Sequence, residues 1–261
     1  MKHDRQTQIK QLLLQKKRIS IKELCDTFGI SVETARRDLN LLEADGFLRR
    51  VYGGAVIADT ADEQDLLPPW DSRFEKNLAE KRAIARELLK WIPDNASVFL
   101  DSGTSAFEIA KLLREKNNLT ILTNDLRNAS ELCLNTNHAV YCMGGLVNRD
   151  ELMTTGFLTI DFLERFSRID IAILGADGLD VNIGLTEHNV EMGTIKSAII
   201  EKSRKVLVGV DHSKFAKSTF YKVCPIEKIT TIVTSDKAPQ ESINVLKRAG
   251  IQLVLVSSSF T

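Results

Sequence analysis

Apolar residues recur at helical spacing along the first 58 positions. Ile9, Leu12 and Leu13 form one stripe that runs into Lys16-Lys17-Arg18, where a helix dipole favours positive charge. Ser20 and Glu23 then form a capping-box pattern, and Ile21, Leu24, Cys25 and Phe28 mark a second helix. Phe28-Gly29-Ile30 reads as a tight turn. A third helix, N-capped by Ser31, buries Val32, Ala35, Leu39 and Leu42 and turns Glu33, Thr34, Arg36, Arg37 and Asn40 outward. Gly46 suits the left-handed residue that closes it, and Phe47 to Ala55, with Tyr52-Gly53-Gly54, reads as a short strand and turn. Three capped helices followed by a strand and turn predict a winged helix-turn-helix over residues 1–58.

Residues 59–77 lose this period. They are acidic and contain Pro68-Pro69, so they are expected to be a linker, with Trp70 and Phe74 docking on a neighbouring surface. From Leu78 the pattern alternates. Helices are expected around Ile84 to Ile92, Ala106 to Arg114, Leu126 to Leu134, Phe157 to Phe166, Val190 to Lys202 and Pro239 to Ala249. Between them lie short apolar runs at Val98 to Leu100, Leu119 to Leu122, Val140 to Cys142, Ile169 to Leu174, Val206 to Val210, Thr231 to Val233 and Leu253 to Val256. Strand and helix in turn mean a mostly parallel sheet covered on both faces. The fold class is therefore α/β: a small N-terminal winged helix-turn-helix and a larger Rossmann-like domain over residues 78–261.

Composition changes this picture in one respect. Basic and acidic residues balance at 35 each, which on average disfavours a nucleic-acid partner. The balance hides a split: residues 1–58 carry 11 basic and 7 acidic side chains, which leaves a net charge of about −4 on the rest. A basic head on an acidic body is expected when only the head touches phosphates. Cys25, Cys133, Cys142 and Cys224 are scattered and no metal-ligand spacing occurs, so no metal, cofactor or disulfide framework is expected and a reducing cytoplasm fits. No apolar run is long enough for a membrane span.

Candidate chemistry falls in two places. On the third helix, Thr34, Arg36 and Arg37 are placed to reach base edges or flanking phosphates of double-stranded DNA, with Ser31 and Glu33 beside them. Lys22, Arg49 and Arg50 are expected to set register through charge alone. In the body, ligands of such a sheet bind beyond the carboxyl ends of the strands. There the chain carries Asp101-Ser102-Gly103-Thr104-Ser105, Thr123-Asn124, Gly144-Gly145, Gly175-Ala176-Asp177-Gly178-Leu179-Asp180 and Asp211-His212-Ser213-Lys214. Asp101 to Ser105 opens a helix, whose free N–H groups and dipole suit an anion, and Lys214 and Lys196 add positive charge.

The run Ser31-Val32-Glu33-Thr34-Ala35-Arg36-Arg37-Asp38-Leu39, with Leu42-Glu43, Gly46 and Tyr52-Gly53-Gly54-Ala55, resembles the N-terminal domain of the DeoR family of bacterial transcriptional regulators. The body is similar to that family's sensor domain through Asp-Ser-Gly-Thr, Thr-Asn, Gly-Gly, Gly-Ala-Asp-Gly and Asp-x-Ser-Lys-Phe, in that order. The resemblance implies a regulator, most often a repressor, of carbohydrate metabolism, with a sensor related in fold to ribose-5-phosphate isomerase. It implies a phosphorylated sugar effector, with Ser102 to Ser105 and Lys214 at phosphate-holding positions and Asp177 where the isomerase has an aspartate. The chain departs from the family at Met192-Gly193, where an acidic residue and alanine are common. A two-fold homo-oligomer reading two half-sites is expected. The alternative is a sugar-phosphate isomerase or deaminase with a DNA-binding appendage, using Asp177, Asp180, Glu187 and Lys196. A DNA-binding protein without a ligand is a third reading.

Overall fold

The computed structural model describes residues 2–16, 18–44, 47–51, 54–57 and 70–257. The chain forms two compact units, Met1–Ser72 and Arg73–Thr261. The first contains α1 (Lys2–Lys16), β1 (Arg18–Ser20), α2 (Ile21–Phe28), α3 (Val32–Ala44), β2 (Leu48–Val51) and β3 (Gly54–Ile57). Ser20 Oγ accepts a hydrogen bond from Glu23 N at 3.1 Å, which starts α2 where the capping pattern put it. Gly29, at φ 62°, ends that helix in the left-handed conformation. Ser31 Oγ in turn accepts from Thr34 N at 3.2 Å at the head of α3. Ile9, Leu13, Leu24, Ala35, Leu39 and Leu42 meet in one core.

Two residues of α3 differ from the expected pattern. Val32 is 49% exposed, because the first residue of the helix lies before the stripe reaches the core. Asp38 is buried and accepts from Arg5 Nε at 2.7 Å, which ties α3 to α1. The strands pair antiparallel in the order β1-β3-β2, and β1 is too short to show a period in the sequence. A Cβ on Gly54 would meet the Ile19 carbonyl oxygen at 2.1 Å, so β3 approaches β1 closely only because glycine stands there. Gly46, Tyr52-Gly53, residues 59–69 of the linker and the side chains of Arg49 and Arg50 lie outside the described residues.

Helix α4 (Trp70–Glu75) spans the division between the units, and α5 (Leu78–Leu89) follows. Next come β4 (Ser97–Leu100), α6 (Thr104–Leu112), β5 (Thr120–Thr123), α7 (Leu126–Asn135), β6 (Ala139–Cys142), β7 (Leu146–Asn148), β8 (Met153–Thr155), α8 (Phe157–Glu164) and β9 (Ile169–Leu174). The remainder is β10 (Gly178–Asp180), β11 (Gly184–Glu187), α9 (Val190–Lys202), β12 (Ser203–Gly209), β13 (Tyr221–Cys224), β14 (Thr231–Ser235), α10 (Gln240–Arg248) and β15 (Gln252–Val256). Seven strands form a parallel sheet in the order β15-β14-β12-β9-β4-β5-β6.

The pleat divides their side chains between two cores. Val98, Leu100, Ile171, Ile173, Leu207 and Val233 pack with Ile84 and Leu88 of α5 and Ile109 of α6. Phe99, Ala172, Leu174, Val206, Val208 and Ile232 pack with α9 and α10 on the other side. The hairpin β7–β8 and the antiparallel sheet β10-β11-β13 are additions that the sequence does not announce. Their strands have three or four residues each, too few for periodicity to show. Phe74 docks edge-on against Phe107 of α6 at 6.0 Å, as expected of an aromatic beside a linker.

Substituting Gly54→Ala drives a methyl group into a backbone carbonyl and is expected to destabilise the first unit by about 1–3 kcal/mol. Circular-dichroism melts that coincide for variant and parent would rule this out.

Candidate functional site

The outer face of α3 presents Glu33, Arg36 and Arg37 to solvent, close after its N-terminus, and Lys22 is exposed on α2. Thr34 is half-buried, and its hydroxyl lies 2.9 Å from Ser31 Oγ, so the two side chains belong to the helix start. An α-helix entered through a glycine turn, with guanidinium groups on its open face, has the shape and charge to enter a DNA major groove.

In the second unit the strand order reverses between β4 and β9: β5 and β6 extend from one, β12, β14 and β15 from the other. The loops leaving these two strands therefore part to opposite faces and leave a crevice. Asp101 ends β4 and Gly175 follows β9, and Gly175 N donates to Asp101 Oδ2 at 2.8 Å across that gap. Lys196, from α9, donates to the same Asp101 oxygen at 2.7 Å, to Gly175 O at 3.1 Å and to Glu187. Asp177 accepts from His188 N at 3.2 Å, and Lys214 Nζ lies 3.9 Å from its other oxygen. The structure thus brings Asp101, Asp177, Glu187, Lys196 and Lys214 into one network from five separate segments.

This network holds three carboxyl groups around one buried ammonium. Burial drives Glu187 well above its ordinary pKa, against the attraction of Lys196, and the neighbouring Asp177 and Asp101 push it further. A hydrogen bond joins its side chain to that of Asp177. Burial also works to raise Asp177, but that hydrogen bond and the charges of Lys214 and Lys196 outweigh it and hold Asp177 low. Asp101 is raised by burial, which its bonds from Lys196, Gly175 and Ser102 only partly offset. Lys196 is disfavoured by burial, yet the charges of Asp101 and Glu187 win and keep it protonated.

The loop between β4 and α6 sits beside this network. Gly103, at φ 96°, begins α6 with no side-chain cap, and Asp125 Oδ2 holds Gly103 N at 3.2 Å. Asn128 Nδ2 donates to the Asp101 carbonyl at 2.8 Å. Asp125 and Asn128 are thus positioning residues that sequence reasoning missed; the signal was Asp125 as the N-cap of α7. Thr123 and Asn124 are fully buried below the rim. Thr123 Oγ1 accepts from Asp125 N, and Asn124 Nδ2 donates to Thr154 O and Met192 Sδ. Gly145 packs so tightly on Thr159 and Thr155 that a Cβ would lie 2.1 Å from Thr159 Oγ1. Asp180 caps the turn at Asn182 and Ile183 and takes no part in the network.

Two further residues were invisible from sequence. Glu80, buried in the first turn of α5, accepts from His212 Nδ1 at 2.8 Å and Ser235 Oγ at 2.5 Å, which fixes the turn that carries Lys214. Lys81 donates to the carbonyl oxygens of Arg73 and Phe74, at 2.5 and 3.4 Å, and of Lys76. Burial draws its pKa down to about 8, with Asp211 opposing and Lys214 adding to the fall. Glu80, Asp211 and His212 bring metal-ligand atoms within 4.8 Å of one another. Their contacts are already spent: Glu80 on His212 and Ser235, Asp211 on Ser213 and Asn77. The departure at Met192-Gly193 also has a physical reason, since a Cβ on Gly193 would lie 2.1 Å from the Tyr221 ring.

A basic-faced helix-turn-helix in one unit and a polar crevice at the switch point of a parallel sheet in the other define a ligand-controlled transcription regulator. Residues 5–61 match the DeoR-like helix-turn-helix domain and residues 76–236 the DeoR C terminal sensor domain, so the chain belongs to the DeoR family. It is 33% identical over 245 residues to the glycerol-3-phosphate regulon repressor of Escherichia coli K12, covering 94% of this chain and 95% of that one. Over 233 residues, 88% of each chain, it is 40% identical to the transcriptional repressor AccR of Agrobacterium fabrum. These relatives are repressors, not enzymes. Among solved structures it is similar to ribose 5-phosphate isomerase A of Neisseria gonorrhoeae, with 15% identity, TM-score 0.38 and coverage of 52% of this chain and 53% of that one. Among the described residues, no helix is long and apolar enough to cross a membrane.

Two substitutions test the charge network. Lys196→Met leaves buried carboxylates without a counter-charge and is expected to cost about 3–5 kcal/mol. Glu187→Gln, by contrast, mimics the protonated carboxyl. A raised folded-state pKa gives stability that is full below the unfolded value and lost as pH rises through the folded one. Glu187→Gln is therefore expected to gain on the parent as pH rises from acidic to alkaline, in parallel urea titrations. A gap independent of pH would show that folding leaves the pKa of Glu187 unshifted.

Proposed function

We propose that the head binds an operator upstream of carbohydrate-metabolism genes and represses them, and that a phosphorylated sugar or polyol bound at the crevice controls this grip. The observation that carries the reading is the start of α6, a helix N-terminus without a side-chain cap, set beside Lys196 and Lys214 at the switch point of the sheet. Backbone N–H groups of Thr104 and Ser105 and the hydroxyls of Ser102, Thr104 and Ser105 suit phosphate oxygens, with Lys214 as counter-charge. Asp177 and Glu187 suit sugar hydroxyls. The repressor from Escherichia coli K12 is named for a glycerol-3-phosphate regulon, which is the same chemical class.

Binding acts on the head only if two arrangements of the protein differ in affinity for the effector. Lys81 supplies a route. It clamps the carbonyl groups of the α4 end, through which the chain passes toward the head, and its protonation responds to Asp211 and Lys214. A dianion arriving beside Lys214 favours the ammonium form of Lys81 and tightens the clamp. The protein works in the cytoplasm as a homo-oligomer, placing two α3 helices on two half-sites one helical turn or a multiple of it apart.

A thermal-shift screen of phosphorylated and unphosphorylated sugars and polyols tests the effector class. A ligand at 100 times its dissociation constant should add about 2.7 kcal/mol to stability, and Lys214→Ala should abolish the shift. Equal shifts from unphosphorylated compounds, or none from any phosphorylated one, would overturn the assignment. For the head, Arg36→Ala with Arg37→Ala should weaken binding to a duplex selected by the parent from a random pool by more than about 30-fold, two guanidinium contacts being lost. Unchanged fluorescence anisotropy titrations would remove α3 from the interface.

A further inference from the structure

Residues 139–148 and 153–160 include no Asp, Glu, Lys or Arg, although 27% of the chain is charged. They build a continuous piece of the second unit: β6, the edge strand of the parallel sheet, then the hairpin β7–β8 and the first turn of α8. Leu146 pairs with Thr155 and Val147 with Thr154, which brings Phe157 to the end of the hairpin. Five large apolar side chains are open here: Tyr141 at 45% exposure, Leu146 at 73%, Val147 at 42%, Phe157 at 79% and Leu158 at 64%. Leu146 and Val147 are successive in one strand and so project to opposite faces, which leaves both faces of β7 apolar and uncovered. A two-stranded ribbon is marginal by itself, and the outer edge of β6 presents backbone groups that no strand of the sheet pairs.

We propose that this face is where two copies of the chain meet, across a two-fold axis, with hairpin and α8 of one packed on those of the other. The proposal rests on the reading of the protein as a homo-oligomer and says where the contact lies. In an isologous contact, residues near the axis face their own counterparts, so any charge there meets a like charge. The 22 basic and 22 acidic side chains of residues 78–261 are spread over the rest of the body, so a contact through these two uncharged segments brings no like charges together. DNA or an anionic membrane would need basic side chains on this face, and its two segments have none.

The face is also tied to the crevice. Thr154 Oγ1 donates to Met143 O at 2.6 Å, Thr154 N donates to Asn124 O at 2.8 Å, and Asn124 Nδ2 returns a bond to Thr154 O at 3.0 Å. The hairpin is therefore bolted to the loop that follows β5, on the same sheet edge as Asp101 and Lys196.

Sedimentation velocity of the full chain from low to high micromolar concentration tests the proposal. The parent should contain two copies or a multiple of two. Leu146→Glu with Phe157→Glu should fall to fewer copies, the dissociation constant rising by about 100-fold or more as central apolar anchors become buried charges. A parent that stays monomeric overturns both this proposal and the oligomer reading. A variant with as many copies as the parent overturns the location alone. Hydrogen exchange on the parent decides the matter should the variant fail to fold. Amides of 139–148 and 153–160 should exchange more slowly as concentration rises, and exchange there that is independent of concentration overturns the proposal.

Discussion

The second unit depends on one ammonium group held among carboxyl groups. Lys196 reaches from α9 to Asp101 at the end of β4, to Glu187 at the end of β11 and to the carbonyl of Gly175 after β9. The segments after β4 and β9 leave the parallel sheet where strand order reverses, and β11 belongs to the small antiparallel sheet, so a single side chain ties the crevice to both sheets. Such a buried pair contributes little net stability against an apolar replacement, because desolvation consumes most of the attraction. Its effect is geometric. With three carboxyl groups near one cation, burial and the neighbouring carboxylates raise Glu187 while Asp177 is held low.

Around this centre the supporting contacts form a shell with a consistent role. Asp125 and Asn128 hold the loop at the start of α6, and Glu80 with Ser235 and His212 holds the turn carrying Lys214. Gly193 lets the Tyr221 ring lie against α9. A rigid shell matters for a sensor, since a ligand shifts an equilibrium only by its difference in affinity for two arrangements, and a loose site has no such difference. On our reading Lys81 passes that difference toward α4, while the uncharged face around β7 passes it toward a second copy.

Much of this was legible along the chain. The capping pattern Ser20 with Glu23, the glycine at 29 and the stripe Ala35, Leu39 and Leu42 located the helix-turn-helix, and the alternation after Leu78 located the parallel sheet. The runs expected at Ile169 to Leu174 and Val190 to Lys202 are strand and helix over those residues. Asp101, Asp177 and Lys214 were also named from their positions after strands and Lys196 from its helix, while Glu187 was named only for the isomerase alternative. Short strands such as β7, β10 and β13 were not legible, since three or four residues hold too little periodicity. Nor were Glu80 and Lys81: charged residues in the first turn of a helix look solvated in a sequence, and here they are buried.

By itself, then, the sequence determined the local elements, the basic charge of the head, and the DeoR character of head and body. These follow from caps, periods and charge within a few residues of each other. Only the tertiary structure decided that Thr123 and Asn124 lie beneath the rim, that Gly145 packs against α8, and that Asp101 meets Lys196 from 95 positions away. The reason is that strand order and helix packing choose which distant side chains share a low-dielectric space. In that space the cost of an unpaired charge, negligible in an unfolded chain, dictates the partners.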